Sequence, residues 1–264
     1  MSVIALPERR ILLPDTSHVI DDAKRRIMQS IGLVLGGSGQ VGRVLGQASA
    51  APAADWWEVA GQTCVVAYQP KGAADYAASL VNLANPGTYN ATAGSAPSWA
   101  SGTGWTFNGS SHYLICSWVP ANNNITSLIY YNYTGTGDDQ TLFGFYKSGA
   151  PTGAIQLAIR NHSPIGMISY NGAVYPTGTT VNSPVLTSGV YGFANKQPYR
   201  NGSPESTTIN AASSSGFLTP YIGAADVDSS PAGYLPGSIY AIVFYSTVLS
   251  GAEVATVSAA MAAL

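Results

Sequence analysis

The C-terminal quarter of the chain carries four short signals in a fixed order, and together they leave few folds open. In Tyr199-Arg200-Asn201-Gly202, the Asn-Gly pair supplies the positive backbone angles of a two-residue hairpin turn. Tyr221-Ile222-Gly223-Ala224 reads as a short buried strand, and Leu235-Pro236-Gly237-Ser238-Ile239-Tyr240-Ala241-Ile242-Val243-Phe244-Tyr245 as a long alternating one. Ser250-x-x-Glu253 is a capping box that opens a short closing helix. Glu253 therefore has a structural task before any chemical one.

Composition agrees with an all-β body. The chain holds 29 Gly, 16 Pro and 16 Tyr but only 9% charged residues, so β-branched and aromatic runs alternate with Gly, Asn, Ser and Pro clusters. Its 264 residues suffice for one sandwich with a sizeable core and an N-terminal appendage. A surface this poor in charge is covered by Ser, Thr, Asn, Gly and Tyr, which suits carbohydrate contact, an exposed setting or subunit packing.

The four C-terminal signals resemble the laminin-G-like, or concanavalin A-like, jelly roll. Trp105-Thr106-Phe107-Asn108-Gly109-Ser110-Ser111-His112-Tyr113-Leu114 extends the likeness upstream as the family's first core strand, turn and second strand. The resemblance covers about residues 63 to 264 and implies an antiparallel jelly-roll sandwich of two sheets, closed by a short C-terminal helix. It implies no single function, because the family includes lectins, adhesion modules, enzyme appendages and viral surface proteins. The stretch from Val66 to Tyr89 also resembles, in style, laminin-G-like proteins encoded by phages and prophages.

Two segments are expected: an N-terminal anchoring or oligomerisation arm with its linker over residues 1–55, partly helical and partly extended, and the jelly roll over 56–264. Six of the eleven Lys and Arg fall within the first 43 residues, and Arg9, Arg10, Lys24, Arg25 and Arg26 are read as the arm's docking charges. Asp15 or Thr16 caps an expected helix through about Ser30, with Val19, Ile20, Ala23, Ile27 and Ile31 near one face. Interleaved Asp15, Asp21 and Asp22 and the lack of stacking aromatics argue against nucleic acid as partner. Gly37-Ser38-Gly39-Gln40-Val41-Gly42 matches the dinucleotide fingerprint, but Ala/Pro linker and β-type sequence follow it instead of a βαβ unit, and no cofactor is expected. The apolar run before Ala48-Ser49-Ala50 carries Gln29, Ser38, Gln40 and Arg43, so neither a general secretion signal nor a membrane span is expected.

Catalysis is disfavoured on the carboxylates. Concanavalin A-like glucanases carry Glu-x-Asp-x-x-Glu on one strand, as the resemblance would require. Glu8, Glu58, Glu205 and Glu253 stand in no such pattern, and no Gly-x-Ser-x-Gly elbow is present. The chain is expected not to be an enzyme. Asp138, Asp139, Asp226 and Asp228 lie in expected loops and are the calcium candidates, but solvated turn residues are the commoner case and no metal is assigned. Cys64 and Cys116 are read as buried free thiols.

Recognition through aromatics remains. In Leu128-Ile129-Tyr130-Tyr131-Asn132-Tyr133, alternation puts Leu128, Tyr130 and Asn132 on one face and Ile129, Tyr131 and Tyr133 on the other. One face is core and the other is free to present rings to a sugar. Tyr130, Tyr131, Tyr133, Asn161, His162, Tyr170 and Tyr175 are the candidate ligand-binding residues. The leading expectation is a non-enzymatic structural protein of a phage-like virion, as capsid decoration, fibre or tail component. It would be assembled in the host cytoplasm, exposed on the particle, held to other virion proteins through residues 1–55 and homo-oligomeric, with the trimer as a guess. The alternative is a lectin-type carbohydrate-binding domain that recognises a host-surface glycan, and a third reading is an appendage to a glycan-processing enzyme.

Overall fold

A computed structural model describes residues 55–137, 139–147, 153–161, 166–171, 180–209 and 217–264. The expected N-terminal arm, with Arg9, Arg10, Lys24, Arg25 and Arg26, lies outside them, as do Asp138, His162 and Tyr175. In chain order the elements are β1 (Cys64–Tyr68), α1 (Tyr76–Ser79), β2 (Thr92–Ser95), β3 (Ser98–Ala100), β4 (Gly104–Asn108), β5 (Tyr113–Ile115), β6 (Thr126–Tyr133), β7 (Gln140–Lys147), β8 (Gly153–Arg160) and β9 (Gly166–Asn171). They continue with β10 (Thr180–Asn182), β11 (Ser188–Ala194), β12 (Gln197–Arg200), β13 (Ser203–Pro204), β14 (Tyr221–Ile222), β15 (Ala225–Val227), β16 (Ser230–Ala232), β17 (Pro236–Tyr245) and α2 (Gly251–Ala262).

Two sheets face each other. The first runs β13-β12-β11-β6-β17-β4-β3, with β1 joining β17 beyond the end of β4, and the second runs β10-β9-β8-β7-β14-β5-β2, with β15 and β16 attached at β7. All pairings are antiparallel except the short β15–β7 contact. This is the expected all-β sandwich with a short C-terminal helix. β4 and β5 fall in different sheets, so the Asn108–His112 turn carries the chain across the sandwich. Asn108 shapes that turn by accepting from the backbone N–H groups of Ser110, Ser111 and His112 at 2.9–3.1 Å.

Alternation, broken at bulges on β7 and β17, builds the core. Ile129 and Tyr131 of β6, Trp105 and Phe107 of β4, and Tyr191 and Phe193 of β11 point inward from the first sheet. Leu114, Phe143, Phe145, Ile155, Leu157, Ile159 and Ile222 meet them from the second, and each such buried side chain contributes about 1.5–3 kcal/mol. Phe143 and Phe244 interlock across the sheets with ring centroids 4.6 Å apart.

Among the described residues, only half of the other side of the first sheet is covered. Leu128, Val190, Ala194, Ala241, Val243 and Tyr245 form a second apolar cluster beneath Val254, Val257 and Met261 of α2 and beside Trp57. The capping box is present: Ser250 Oγ accepts from Glu253 N–H, and Glu253 Oε2 accepts from Ser250 N–H at 2.6 Å. At the β12–β13 turn Asn201 (φ 49°) and Gly202 (φ 80°) adopt the left-handed geometry that Asn-Gly favours.

Candidate functional site

On the uncovered half of the first sheet, one residue from each of five strands falls into a single row. Ser98 of β3 pairs with Thr106 of β4, Thr106 with Ser238 of β17, Ser238 with Asn132 of β6, and Asn132 with Ser188 of β11. All five are at least partly exposed. Four interstrand spacings give the row a length of about 19 Å. Small side chains make a low floor rich in hydroxyls, each able to donate and accept, with one amide. Thr106 Oγ1 and Ser238 Oγ lie 2.9 Å apart.

The wall beside this floor is made by a bulge. Ile239 pairs with Tyr131 and Ala241 with Tyr130, which leaves Tyr240 as the extra residue on β17. Tyr240 stands beside Tyr130 with ring centroids 4.8 Å apart in an edge-on arrangement. Burial raises the Tyr240 phenol above its usual pKa, with Tyr130 adding to the effect, so the hydroxyl stays protonated and can donate. Lys71 Nζ lies 5.3 Å from the centroid of the Tyr240 ring and 5.8 Å from that of Tyr130.

Lys71 is held there by the backbone. Its N–H donates to Tyr240 O at 3.3 Å, and the next residue, Gly72, donates to Ser101 O at 2.7 Å. Gly104 (φ +62°) permits this approach, because a Cβ at that position would meet Ile239 O at 2.3 Å and Lys71 N at 3.2 Å. Among the described residues, ion pairs join Arg160 to Asp139 at 3.6 Å and Arg200 to Glu205 at 2.5 Å, and Lys71 has no such partner.

The residues expected from sequence are dispersed. Tyr130 reaches the outer face with Asn132, whereas Tyr131 is 0% exposed in the core and its hydroxyl donates to Leu186 O at 2.6 Å. Tyr133, 6% exposed, belongs to a rim cluster: its hydroxyl hydrogen-bonds Gln140 Oε1 and accepts from Asn161 Nδ2 at 2.6 Å. The structure thus brings Asn161 to Tyr133 but neither to Tyr130. The backbone of Tyr170 pairs with Gln156 on the second sheet.

Asp139 faces Arg160, and Asp226 is buried, its Oδ1 accepting from Ser229 N–H at 2.6 Å in the β15–β16 turn. Burial raises the Asp226 pKa against that hydrogen bond, and Asp228 adds to the rise. Among the described residues no three His, Cys, Asp or Glu side chains gather as a metal-binding group, and no helix is long and apolar enough to cross a membrane.

No protein-family model matches the chain, and no curated protein matches it. Solved structures do. A Trypanosoma rangeli sialidase in complex with the inhibitor DANA is 16% identical with a TM-score of 0.51, covering 75% of this chain and 33% of that one. The same organism's sialidase with 2,3-difluorosialic acid, a covalent intermediate, is 16% identical at a TM-score of 0.51 over 75% and 32% of the two chains. Its complex with sialic acid is 17% identical at 0.51 over 74% and 32%. This chain spans about a third of those proteins' length, and what is shared is the fold.

These matches overturn the expectation of a phage-like virion component. The three solved structures described above are sialidases. The low charge and the Gly/Ser/Thr-rich loops behind that expectation are features of the sandwich itself, where small polar residues cover strand faces and turns.

Proposed function

We propose that this chain is a non-catalytic carbohydrate-binding domain of the laminin-G-like or concanavalin A-like type, and that it takes an oligosaccharide along the open half of the first sheet. The observation that carries the reading is the five-strand row Ser98-Thr106-Ser238-Asn132-Ser188, bounded by the Tyr130–Tyr240 pair. Sugars present hydroxyls that both donate and accept, and the row offers matching groups at strand spacing. They also present C–H faces, which a tyrosine ring covers while its hydroxyl hydrogen-bonds. The sialidase fold likeness is compatible with this use and contributes nothing more specific.

Non-catalytic action is part of the proposal because four of the described carboxylates have structural partners. Glu205 pairs with Arg200, Asp139 with Arg160, Asp226 holds a turn and Glu253 caps a helix. An open, shallow face predicts weak affinity, with Kd between about 1 µM and 1 mM.

A broad glycan array, followed by calorimetry on each hit, tests the reading. Asn132→Ala and Tyr240→Ala are each expected to weaken binding about tenfold through one lost hydrogen bond or ring contact, with the circular dichroism spectrum unchanged. No hit across the array, or hits indifferent to both substitutions, would overturn the assignment of this face.

A further inference from the structure

Resting on the reading of this face as a carbohydrate site, we infer that its ligand carries a carboxylate and that Lys71 is the residue that selects for it. Lys71 is half-buried, its ammonium lies over the Tyr130 and Tyr240 rings, and none of the described ion pairs includes it. Ring faces offset only part of the loss of water around a cation. The rings also cover one side of the ammonium, so an anion completes it from the other.

The polar row passes beside the same Tyr240 ring that the Lys71 ammonium lies over. Ser238 lies two positions before Tyr240 on the same strand, and Thr106 Oγ1 sits 2.9 Å from Ser238 Oγ. A pyranose whose ring carries a carboxylate presents both chemistries in one unit: the anion to Lys71, and the ring hydroxyls to Ser238, Thr106 and Asn132. The described arginines are already engaged, Arg200 with Glu205 and Arg160 with Asp139. Lysine, a compact charge on a flexible stem, suits one carboxylate without demanding a bidentate fit.

Hexuronic acids and nonulosonic acids share this chemistry, and the experiment separates them. The full-length protein is titrated with an oligogalacturonide and its carboxyl-reduced form, and with sialyllactose and lactose. Wild type is expected to bind at least one acidic sugar about tenfold more tightly than its neutral counterpart, the effect of one charge-assisted hydrogen bond. The preference should shrink as sodium chloride is raised. Lys71→Gln should bring the acidic-to-neutral ratio close to one while neutral binding persists, and Lys71→Arg should retain it; thermal unfolding checks that both fold. Equal binding of acidic and neutral sugars by wild type, or a preference that survives Lys71→Gln, overturns the inference and leaves the carbohydrate reading standing. Absence of binding to all four ligands and to the array overturns both.

Discussion

Asn82 offers the sharpest test of how the sandwich is held together, because its amide uses every hydrogen bond it can make. The residue is 0% exposed. Its Oδ1 accepts from Ala67 N–H at 2.9 Å and Ala84 N–H at 3.2 Å, and its Nδ2 donates to Val65 O at 2.8 Å and Thr88 O at 2.9 Å. The side chain thereby ties β1 to the loop that follows α1. Asn82→Ala removes four hydrogen bonds at about 1 kcal/mol each, giving a loss of about 4 kcal/mol, with some return from water entering the space. For a domain of this size that lowers Tm by about 8–16 °C. Asn82→Asp adds a signature. The oxygen that replaces Nδ2 faces the carbonyls of Val65 and Thr88, so the folded state raises the Asp pKa, and a raised carboxyl pKa means stability falls as pH rises through it. The Asp variant should therefore recover toward wild type as pH is lowered. Scanning calorimetry across pH reads both effects. A drop of less than about 3 °C for Asn82→Ala, or an Asp variant whose deficit is independent of pH, would refute the reasoning.

Three further outcomes follow from the same structure. Glu253 has its pKa lowered below the ordinary 4.5 by the Ser250 backbone N–H first, then by the Gln62 side chain. Its contribution is thus present above the unfolded pKa and lost as pH falls through the folded one, so the stability gap between wild type and Glu253→Gln should close in acid. Burial pushes the thiols of Cys64 and Cys116 up to about 12 and about 11, and iodoacetamide at about pH 8 should label neither until the protein is unfolded, as mass spectrometry will show. Gly104→Ala places a Cβ 2.3 Å from Ile239 O at φ +62°; it should lower Tm by about 5 °C and weaken glycan binding, because Lys71 and Tyr240 are both set by that approach.

Much of the fold was legible because local chemistry and tertiary structure agree. The Asn201-Gly202 turn, the long β17 strand and the Ser250–Glu253 box each stand where the residues put them. The site was less legible. Alternation correctly separated Tyr130 and Asn132 from Ile129, Tyr131 and Tyr133, but it gave no means of choosing the core face. On β17 alternation misleads: an unbroken period of two groups Tyr240 with Ile242 and Phe244, which are core, whereas the bulge opposite Tyr130 turns Tyr240 outward. A bulge depends on its partner strand, which periodicity within one strand does not reveal. Lys71 was missed for a related reason. It reaches the rings through a backbone approach licensed by Gly104, more than thirty residues away, and only the register of the sheet brings Ser98, Thr106, Ser238 and Ser188 to Asn132. The β15–β16 hairpin was read as loop because its turn residues, Asp228 (φ 49°) and Ser229 (φ 72°), include no glycine.

The most direct test of the central claim is amide chemical-shift mapping of isotope-labelled protein titrated with the strongest array hit. Shifts concentrated on Lys71, Thr106, Tyr130, Asn132, Ser238 and Tyr240, saturating at the affinity found by calorimetry, are the predicted result. Saturable shifts centred instead on the second sheet, around the Tyr113–Tyr221 ring pair with its centroids 4.8 Å apart, would contradict it.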